Sequence, residues 1–221
     1  LSNTAQTNAS GVTTVLDDSI SVALAASLVA STIDGGAGED TLTITPVFGA
    51  LDARALYANL EQINLTAGNT GALQLPTTLG LSVANNSSTA AATVTLGLNA
   101  DSQSVTSASS GLTTVAMNGA TNSSVTVSGT GGVTATAVGG AAGQTVTNSG
   151  AGTSTVTASG VAFTFTGGSG TDTLNLINGT YTATATGGAG TADVLAPTGT
   201  AVVVSGMTTL SGFEVLDLSV A

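Results

Sequence analysis

Residues 124–168 read SVTVSGTGGVTATAVGGAAGQTVTNSGAGTSTVTASGVAFTFTGG, and this stretch decides the fold class. Apolar residues alternate with Thr or Ser in short runs, and most runs end in a turn that contains glycine. Alternation of period two with many β-branched residues predicts β-strands. Similar runs begin roughly every 8 to 12 residues from Ala72 onward, a spacing typical of all-β proteins. The sequence therefore predicts an all-β chain over most of its length.

Side-chain size bears on how these strands are arranged. The 221 residues include 30 Gly but only four Phe, two Tyr and no Trp, so Val, Leu and Ala fill most inward positions. A solenoid needs only small inward residues, because its interior is narrow and each coil packs on the next. An antiparallel β-sandwich favours larger inward residues and Asn-Gly hairpins, which occur only at residues 118–119 and 178–179. We expect a parallel β-solenoid, with the sandwich as the alternative.

The composition excludes several classes of function. One Arg against twelve acidic residues gives a formal net charge of -11, so nucleic-acid phosphates would repel the chain. Without His or Cys it lacks the usual general bases, thiolate nucleophiles and zinc ligands. A carboxylate pair can cleave glycosides, but the aromatic and basic residues of a substrate groove are scarce. We expect no enzymatic activity and no binding of nucleic acid.

Hydropathy gives no sign of membrane insertion. The most apolar stretch, residues 20–33, is interrupted by Ser and is shorter than the roughly 18 apolar residues that span a bilayer. Residues 1–11 have neither the basic start nor the apolar run of a secretory signal. An acidic chain without Lys or Cys is nevertheless common among exported bacterial proteins. We expect a soluble, secreted chain.

Three regions of the chain differ in composition and local sequence pattern. Residues 1–33 are rich in Ser, Thr and Ala, and the segment after Asp17 and Asp18 fits a capped helix or a strand equally well. Residues 34–66 combine a Gly-rich loop, a short helix predicted over residues 51–60, and a strand. Residues 67–221 contain the alternating segments and two further Gly-rich loops.

The Gly-rich loops share the pattern Gly-Gly-x-Gly-x-Asp-x-apolar-x. Residues 35–43 (GGAGEDTLT) and 167–175 (GGSGTDTLN) match it fully, whereas residues 187–195 (GGAGTADVL) have the Asp one place late. Calcium takes six to eight oxygen ligands, and glycine with positive φ lets successive carbonyls point at an ion. An ordinary turn before a strand is the alternative interpretation. The candidate ligands in these loops are Gly36, Gly38, Asp40, Gly168, Gly170, Asp172, Gly188, Gly190 and Asp193.

A second motif returns a carboxylate after the first and third loops. Residues 59–65 (NLEQINL) and 212–218 (GFEVLDL) share the pattern x-[Leu/Phe]-Glu-x-apolar-x-Leu. Glu61 follows Gly35 by 26 residues, and Glu214 follows Gly187 by 27. We expect Glu61 to join Asp40 at one calcium site, and Glu214 to join Asp193 or Asp172 at another. A solvated Glu ahead of a strand is the alternative.

The nonapeptide resembles the calcium-binding RTX repeat (repeats in toxin), and its pairing with the downstream Glu motif resembles bacterial surface-layer proteins of the RTX type. The resemblance rests on residues 34–66 and 163–221. It implies a β-roll or β-helix, Ca²⁺ as the bound ion, and export by type I secretion. One difference is that the family stacks its nonapeptides in tandem, whereas the copies here are isolated.

These observations predict an extracellular structural protein that self-assembles with calcium into a surface layer or filament at the bacterial cell surface. Candidate partners are further copies of the chain and a cell-surface polysaccharide. A secreted adhesin or passenger-type solenoid that binds a host or a glycan is the alternative. Ice binding is a weaker one: Thr-x-Thr recurs at 134/136, 145/147, 155/157 and 164/166, but successive pairs would fall on different faces of a coil with two or three strands.

Overall fold

The computed structural model describes residues 6–7, 13–14, 17–23, 32–45, 47–54, 56–66, 72–86, 94–97, 100–117, 121–138, 142–159 and 162–219. In this part of the chain all regular structure is β, with no helix and hence none that could cross a membrane. In chain order the strands are β1 (Gln6–Thr7), β2 (Thr13–Thr14), β3 (Ser19–Val22), β4 (Ile33–Asp34), β5 (Thr41–Ile44), β6 (Leu51–Asp52), β7 (Tyr57–Ala58), β8 (Gln62–Leu65), β9 (Ala72–Gln74), β10 (Ser82–Asn85), β11 (Val94–Gly97), β12 (Ser104–Ser107), β13 (Thr113–Ala116), β14 (Ser124–Val127), β15 (Val133–Val138), β16 (Gln144–Asn148), β17 (Ser154–Ala158), β18 (Phe163–Thr166), β19 (Asp172–Leu176), β20 (Gly179–Thr180), β21 (Thr184–Thr186), β22 (Val194–Pro197), β23 (Val202–Val203), β24 (Thr209–Ser211) and β25 (Val215–Leu216).

Two long parallel sheets form the body of a β-solenoid. The ten-stranded sheet has the order β24-β21-β18-β16-β14-β12-β10-β8-β5-β3, and the nine-stranded sheet has the order β25-β22-β19-β17-β15-β13-β11-β9-β6. Each coil therefore contributes one strand to each sheet. Partner residues in neighbouring coils lie between 18 positions apart, as for Val156 and Leu174, and 25 positions apart, as for Thr184 and Thr209. The parallel solenoid predicted from the sequence is confirmed.

The antiparallel sandwich is wrong, because both long sheets are parallel throughout and the antiparallel pairing among the described strands is confined to β1 and β2. Asn178 lies between β19 and β20, which belong to different sheets, and Gly179 begins β20, so the pair closes no hairpin. Residues 118–119, the other candidate turn, lie outside the described residues. The ten-stranded sheet continues across residues 33 and 66, and the nine-stranded sheet continues across residue 66.

The helix predicted over residues 51–60 is wrong. Its described residues form β6, which pairs with β9, and β7, which pairs with β4. A single turn joins them, in which the N–H of Tyr57 donates to the carbonyl of Ala53 (3.0 Å). Leu51 and Leu60 are buried and Leu56 packs against the core, so these apolar residues reach the core from extended segments and a turn and not from one face of a helix. Strand pairing satisfies the backbone N–H and C=O groups that would otherwise have formed hydrogen bonds within a helix.

The N-terminal segment that fitted either helix or strand is a strand where it is described. Ser19–Val22 forms β3, which pairs in parallel with β5. Residues 24–31 lie outside the described residues.

The core consists of stacks of inward side chains, and each strand adds one residue to a given stack. In the ten-stranded sheet the stack is Ile20, Leu42, Ile63, Val83, Val105, Val125, Val146, Phe165 and Ala185, all buried. The facing stack of the nine-stranded sheet includes Leu51, Leu73, Val115, Ala135, Val156, Leu174 and Leu195. Burial of each Val, Leu, Ile or Phe side chain in these stacks contributes roughly 1.5–3 kcal/mol. The next residues in the two stacks, Leu210 and Leu216, are 37% and 60% exposed, so the core face is open at this end of the described solenoid.

Candidate metal centres

Three carboxylates stack on consecutive coils ahead of β3, β5 and β8 of the ten-stranded sheet. We call Asp18, Asp40 and Glu61 the first carboxylate ladder. The N–H of Asp18 donates to Oδ1 of Asp40 (2.7 Å), and the N–H of Asp40 donates to Oε2 of Glu61 (2.8 Å). The carboxylates of Asp40 and Glu61 thus each accept a hydrogen bond from the backbone N–H of the preceding member of the ladder. The register of the parallel strands places them one above another.

An equivalent arrangement stands at the start of β19, β22 and β25 in the nine-stranded sheet. We call Asp172, Asp193 and Glu214 the second carboxylate ladder. The N–H of Asp172 donates to Oδ1 of Asp193 (2.7 Å), and the N–H of Asp193 donates to Oε2 of Glu214 (2.9 Å). Both ladders therefore have the order Asp, Asp, Glu along the chain, with the same pattern of hydrogen bonds.

The backbone around the two glutamates is also the same. The N–H groups of Glu61 and Gln62 both donate to the carbonyl of Asp40, and those of Glu214 and Val215 both donate to the carbonyl of Asp193. The residue two positions before each Glu has a positive φ, 51° at Asn59 and 67° at Gly212. Asn and Gly tolerate this conformation better than other residues, which explains why they occupy the first position of the Glu motif.

Register explains the late Asp of the third loop. Thr173 pairs with Val194, so Asp193 lies directly beside Asp172 despite the extra residue in its loop. The insertion is accommodated between residues 187 and 193, and the carboxylate keeps its place. Glu214 meets Asp193 and not Asp172, which decides between the two partners proposed for it.

The middle member of each ladder has a buried oxygen without a partner. Asp40 and Asp193 are fully buried, and Oδ2 of each makes no hydrogen bond to the described residues. Burial raises the pKa of Asp193 above its usual range; the backbone hydrogen bond from Asp172 opposes this, and the charges of Asp172 and Glu214 add to it. An unpartnered buried carboxylate oxygen costs free energy unless the group is neutralised or paired.

No basic side chain neutralises either ladder. Arg54 is the one basic side chain in the sequence, and it forms an exposed ion pair with Asp52 (2.6 Å). That pairing lowers the pKa of Asp52 to about 2. The ladder carboxylates therefore repel one another with no compensating charge from the protein.

The first glycine of each loop leaves room for the carboxylate and for the next coil. A Cβ on Gly35 would lie 2.0 Å from the carbonyl oxygen of Asn59 and 2.8 Å from Oδ2 of Asp40. A Cβ on Gly167 would lie 1.8 Å from the carbonyl oxygen of Gly187 and 2.5 Å from Oδ2 of Asp172. Carbonyl and carboxylate oxygens thus converge where a side chain would otherwise stand.

The other predicted loop glycines fall into two groups. Gly36, Gly38 and Gly188 adopt positive φ (96°, 144° and 116°), as expected for a tight turn. Gly168, Gly170 and Gly190 do not; a Cβ on any of them would lie 2.2–2.5 Å from a glycine carbonyl of the preceding coil. Close stacking of coils therefore explains this second group. Some of their carbonyls are engaged in the stacking, since that of Gly168 accepts from the N–H of Ala189 (2.7 Å).

Sequence reasoning missed Asp18 as a member of the first ladder. A usable signal was present, because Asp18, Asp40 and Glu61 each precede a polar-apolar-polar-apolar run and stand 22 and 21 residues apart. Asp34 was also missed; its Oδ1 accepts from the N–H of Gly36 (3.1 Å) and from Nδ2 of Asn59 (2.7 Å), and so braces the first loop.

The residues present fit a hard divalent cation in part. Carboxylate and carbonyl oxygens are the ligands that calcium prefers, and each ladder has an unpartnered buried carboxylate oxygen beside glycine-lined backbone. Among the described residues, no group of three or more His, Cys, Asp or Glu side chains could hold an ion by itself. Backbone carbonyls and water would have to complete the ligand set.

Comparisons of the chain with protein-family models, with curated proteins and with solved structures found no match.

Proposed function

We propose that this chain is a calcium-stabilised structural segment of an extracellular protein that self-assembles into a surface layer or filament. The observation that carries the proposal is the buried Oδ2 of Asp40 and of Asp193, each in the middle of a carboxylate ladder that no protein cation neutralises. The likeness of the loops to RTX repeats supports the choice of calcium over other ions.

Each ladder residue has a distinct part in this proposal. Asp40 and Asp193 offer the buried oxygen, while Glu61 and Glu214 bring a carboxylate from the following coil. Asp18 and Asp172 add charge from the preceding coil. Calcium, when bound, supplies the positive charge that the ladders lack. Because the ladders exist only when the coils are stacked, the free energy of binding adds to the free energy of folding.

Assembly is proposed to proceed through the open end of the solenoid. Leu210 and Leu216 continue the two core stacks but remain exposed, and Val215 and Leu218 beside them are 43% and 59% exposed. The edges of β24 and β25 have no following strand among the described residues. An exposed strand edge next to apolar side chains is a template for another coil. A second copy of the chain offers coils of the matching width.

Electron microscopy of the purified chain with calcium and with excess chelator tests this proposal. We expect ordered sheets or filaments in calcium and dispersed particles in chelator, with a loss of β-sheet circular dichroism in chelator. A chain that stays monomeric in both conditions while it adsorbs to glycans would support the adhesin alternative. Circular dichroism that does not change on chelation would contradict the stabilising role of calcium.

A pair of variants tests the assembly surface separately from calcium. Leu216→Asp places a charge at the open end, where we expect it to abolish assembly without loss of calcium-dependent folding. Leu79→Asp is the matched control, because Leu79 is 70% exposed in a turn and does not belong to a core stack. Assembly that survives Leu216→Asp would exclude the open end as the contact.

A further inference from the structure

The outer face of the ten-stranded sheet carries two columns of small polar side chains. They stand on either side of the inward core residue of each strand, so each strand contributes one rung of two residues. From β3 to β24 the rungs are Ser19/Ser21, Thr41/Thr43, Gln62/Asn64, Ser82/Ala84, Ser104/Thr106, Ser124/Thr126, Thr145/Thr147, Thr164/Thr166, Thr184/Thr186 and Thr209/Ser211. Eight of these ten rungs therefore have a hydroxyl in both columns. We call this face the hydroxyl array.

The hydroxyl array is a regular two-dimensional lattice. Its columns are separated by two residues along a strand, about 6.6 Å, and its rungs by the distance between strands, about 4.8 Å. All nine pairings in this sheet keep their register without a shift. The array thus extends over nine intervals, or roughly 43 Å.

The hydroxyls in the C-terminal part of the array are unpaired. From Thr145 to Ser211 the four rungs contain seven Thr and one Ser. None of these eight side chains forms a hydrogen bond to another group in the part of the chain that the structure describes. Their hydrogen-bonding capacity is therefore left for an external partner, and the Thr methyl groups present a small apolar surface beside it.

The array also has no charge. None of its twenty positions is ionisable, although the chain has a net charge of -11. An ion would impose its own orientation on nearby water, whereas hydroxyls and methyls at fixed spacing leave water free to adopt the spacing of the array.

The nine-stranded sheet lacks this regularity. It carries Thr134/Thr136 and Thr155/Thr157 on consecutive coils, but its register shifts between β15 and β17. Further along, the same columns contain Val194, Ala196 and the charged Asp217. The Thr-x-Thr pairs do alternate between two faces, as the sequence suggested, but the ten-stranded face collects a hydroxyl in both columns of eight rungs with no shift of register.

We infer that the hydroxyl array binds the surface of an ice crystal. Ice presents a flat lattice of water oxygens whose repeats on its prism planes are close to both spacings of the array, and water held in register on the array would join that lattice. Many weak contacts acting together over ten rungs make such adsorption effectively irreversible, which stops local crystal growth. This inference rests on the ten-stranded sheet alone and does not require calcium to bind or the chain to assemble.

Thermal hysteresis of the full chain, with observation of the shape of a growing ice crystal, tests the inference. We expect hysteresis and faceting with the unaltered chain in calcium buffer. Thr164→Tyr places a bulky ring in the Thr-rich C-terminal part of the array and is expected to abolish both effects. Thr155→Tyr is the matched control, because Thr155 holds the equivalent outward position on the nine-stranded sheet, and activity should persist. Thermal unfolding of each variant establishes that it is folded.

Three results would overturn the inference. The first is a folded chain that causes neither hysteresis nor faceting. The second is a loss of activity with Thr155→Tyr but not with Thr164→Tyr, which would place the activity on the other face. The third is adsorption to a crystalline polysaccharide, or dimerisation in the ultracentrifuge, that Thr164→Tyr abolishes although ice growth is unaffected by the unaltered chain.

Discussion

Replacing Asp193 by Asn changes the stability of the protein in opposite directions with and without calcium. Asn has the shape of Asp and can still accept the hydrogen bond from the N–H of Asp172. It carries no charge, so it ends the repulsion from the carboxylates of Asp172 and Glu214 that contributes to the raised pKa of Asp193. It also removes the charge on which a bound calcium ion depends. This one substitution therefore separates the charge repulsion within the ladder from the contribution of the ladder to calcium binding.

The size of the effect follows from the spacing of the coils. Two carboxylates on adjacent coils, about 4.8 Å apart, repel by roughly 3 kcal/mol at an effective dielectric constant of 20. Glu214 is exposed, so solvent screens its share. The Asn side chain accepts a weaker hydrogen bond from the N–H of Asp172 than the charged carboxylate does, and this loss offsets about 1 kcal/mol of the gain in stability. In chelator we expect Asp193→Asn to raise the free energy of unfolding by about 1–2 kcal/mol, with the melting temperature rising about 2–4 °C per kcal/mol.

In calcium the order reverses. At a calcium concentration about one hundred times the dissociation constant of a site, binding stabilises the fold by about 2.7 kcal/mol. Asp193→Asn loses this stabilisation at the second ladder. Thermal unfolding followed by circular dichroism, with chelator and with calcium, measures both differences. The control is Asp101→Asn: Asp101 is exposed, and hydrogen bonds from Thr121 lower its pKa, so its neutralisation should slightly destabilise the protein in both conditions. If Asp193→Asn were less stable than the unaltered chain in chelator, the argument from repulsion would be refuted.

Further predictions address packing and pH. Gly167→Ala should destabilise the protein by about 2–3 kcal/mol, because the added Cβ would lie 1.8 Å from the carbonyl oxygen of Gly187. Gly49→Ala is the control: a Cβ there has nothing within 4 Å, so the variant should be neutral or more stable by about 0.4–1 kcal/mol. Denaturant unfolding compares the two variants. Phe165→Ala should cost about 3–5 kcal/mol, since Phe165 is fully buried; a cost under 1 kcal/mol, as for an exposed site, would contradict the core stack. A carboxylate with a raised pKa destabilises the fold when ionised, and this penalty is lost as the pH falls through the folded-state pKa towards the ordinary value of 3.8. The stability advantage of Asp193→Asn in chelator should therefore shrink on acidification, and an advantage that grew would contradict the raised pKa.

Local patterns predicted the strands well because each strand is decided by its own alternation. Residues such as Val125, Val146 and Val156 face inward simply because every second residue does. The prediction over residues 51–60 failed for a non-local reason. Leu51 and Tyr57 are buried by partner strands more than twenty residues away in sequence, and no local pattern reveals those partners.

The carboxylate ladders were predicted in part. Spacing brought Asp40 together with Glu61, because the coils there are nearly equal in length. The choice between Asp172 and Asp193 as partner of Glu214 needed the actual register, since coil length varies and a loop can absorb an extra residue. Asp18 was missed because no Gly-rich loop precedes it to mark its place.

A crystal structure of the chain grown in millimolar calcium tests the central claim most directly. Diffraction data are collected at a long X-ray wavelength, where calcium scatters anomalously, and an anomalous difference map locates the ions. The account predicts a peak beside Oδ2 of Asp40 and another beside Oδ2 of Asp193, the two buried oxygens that lack a hydrogen-bond partner. A well-defined map without a peak at either oxygen would contradict it, and would leave the ladders as backbone caps without an ion.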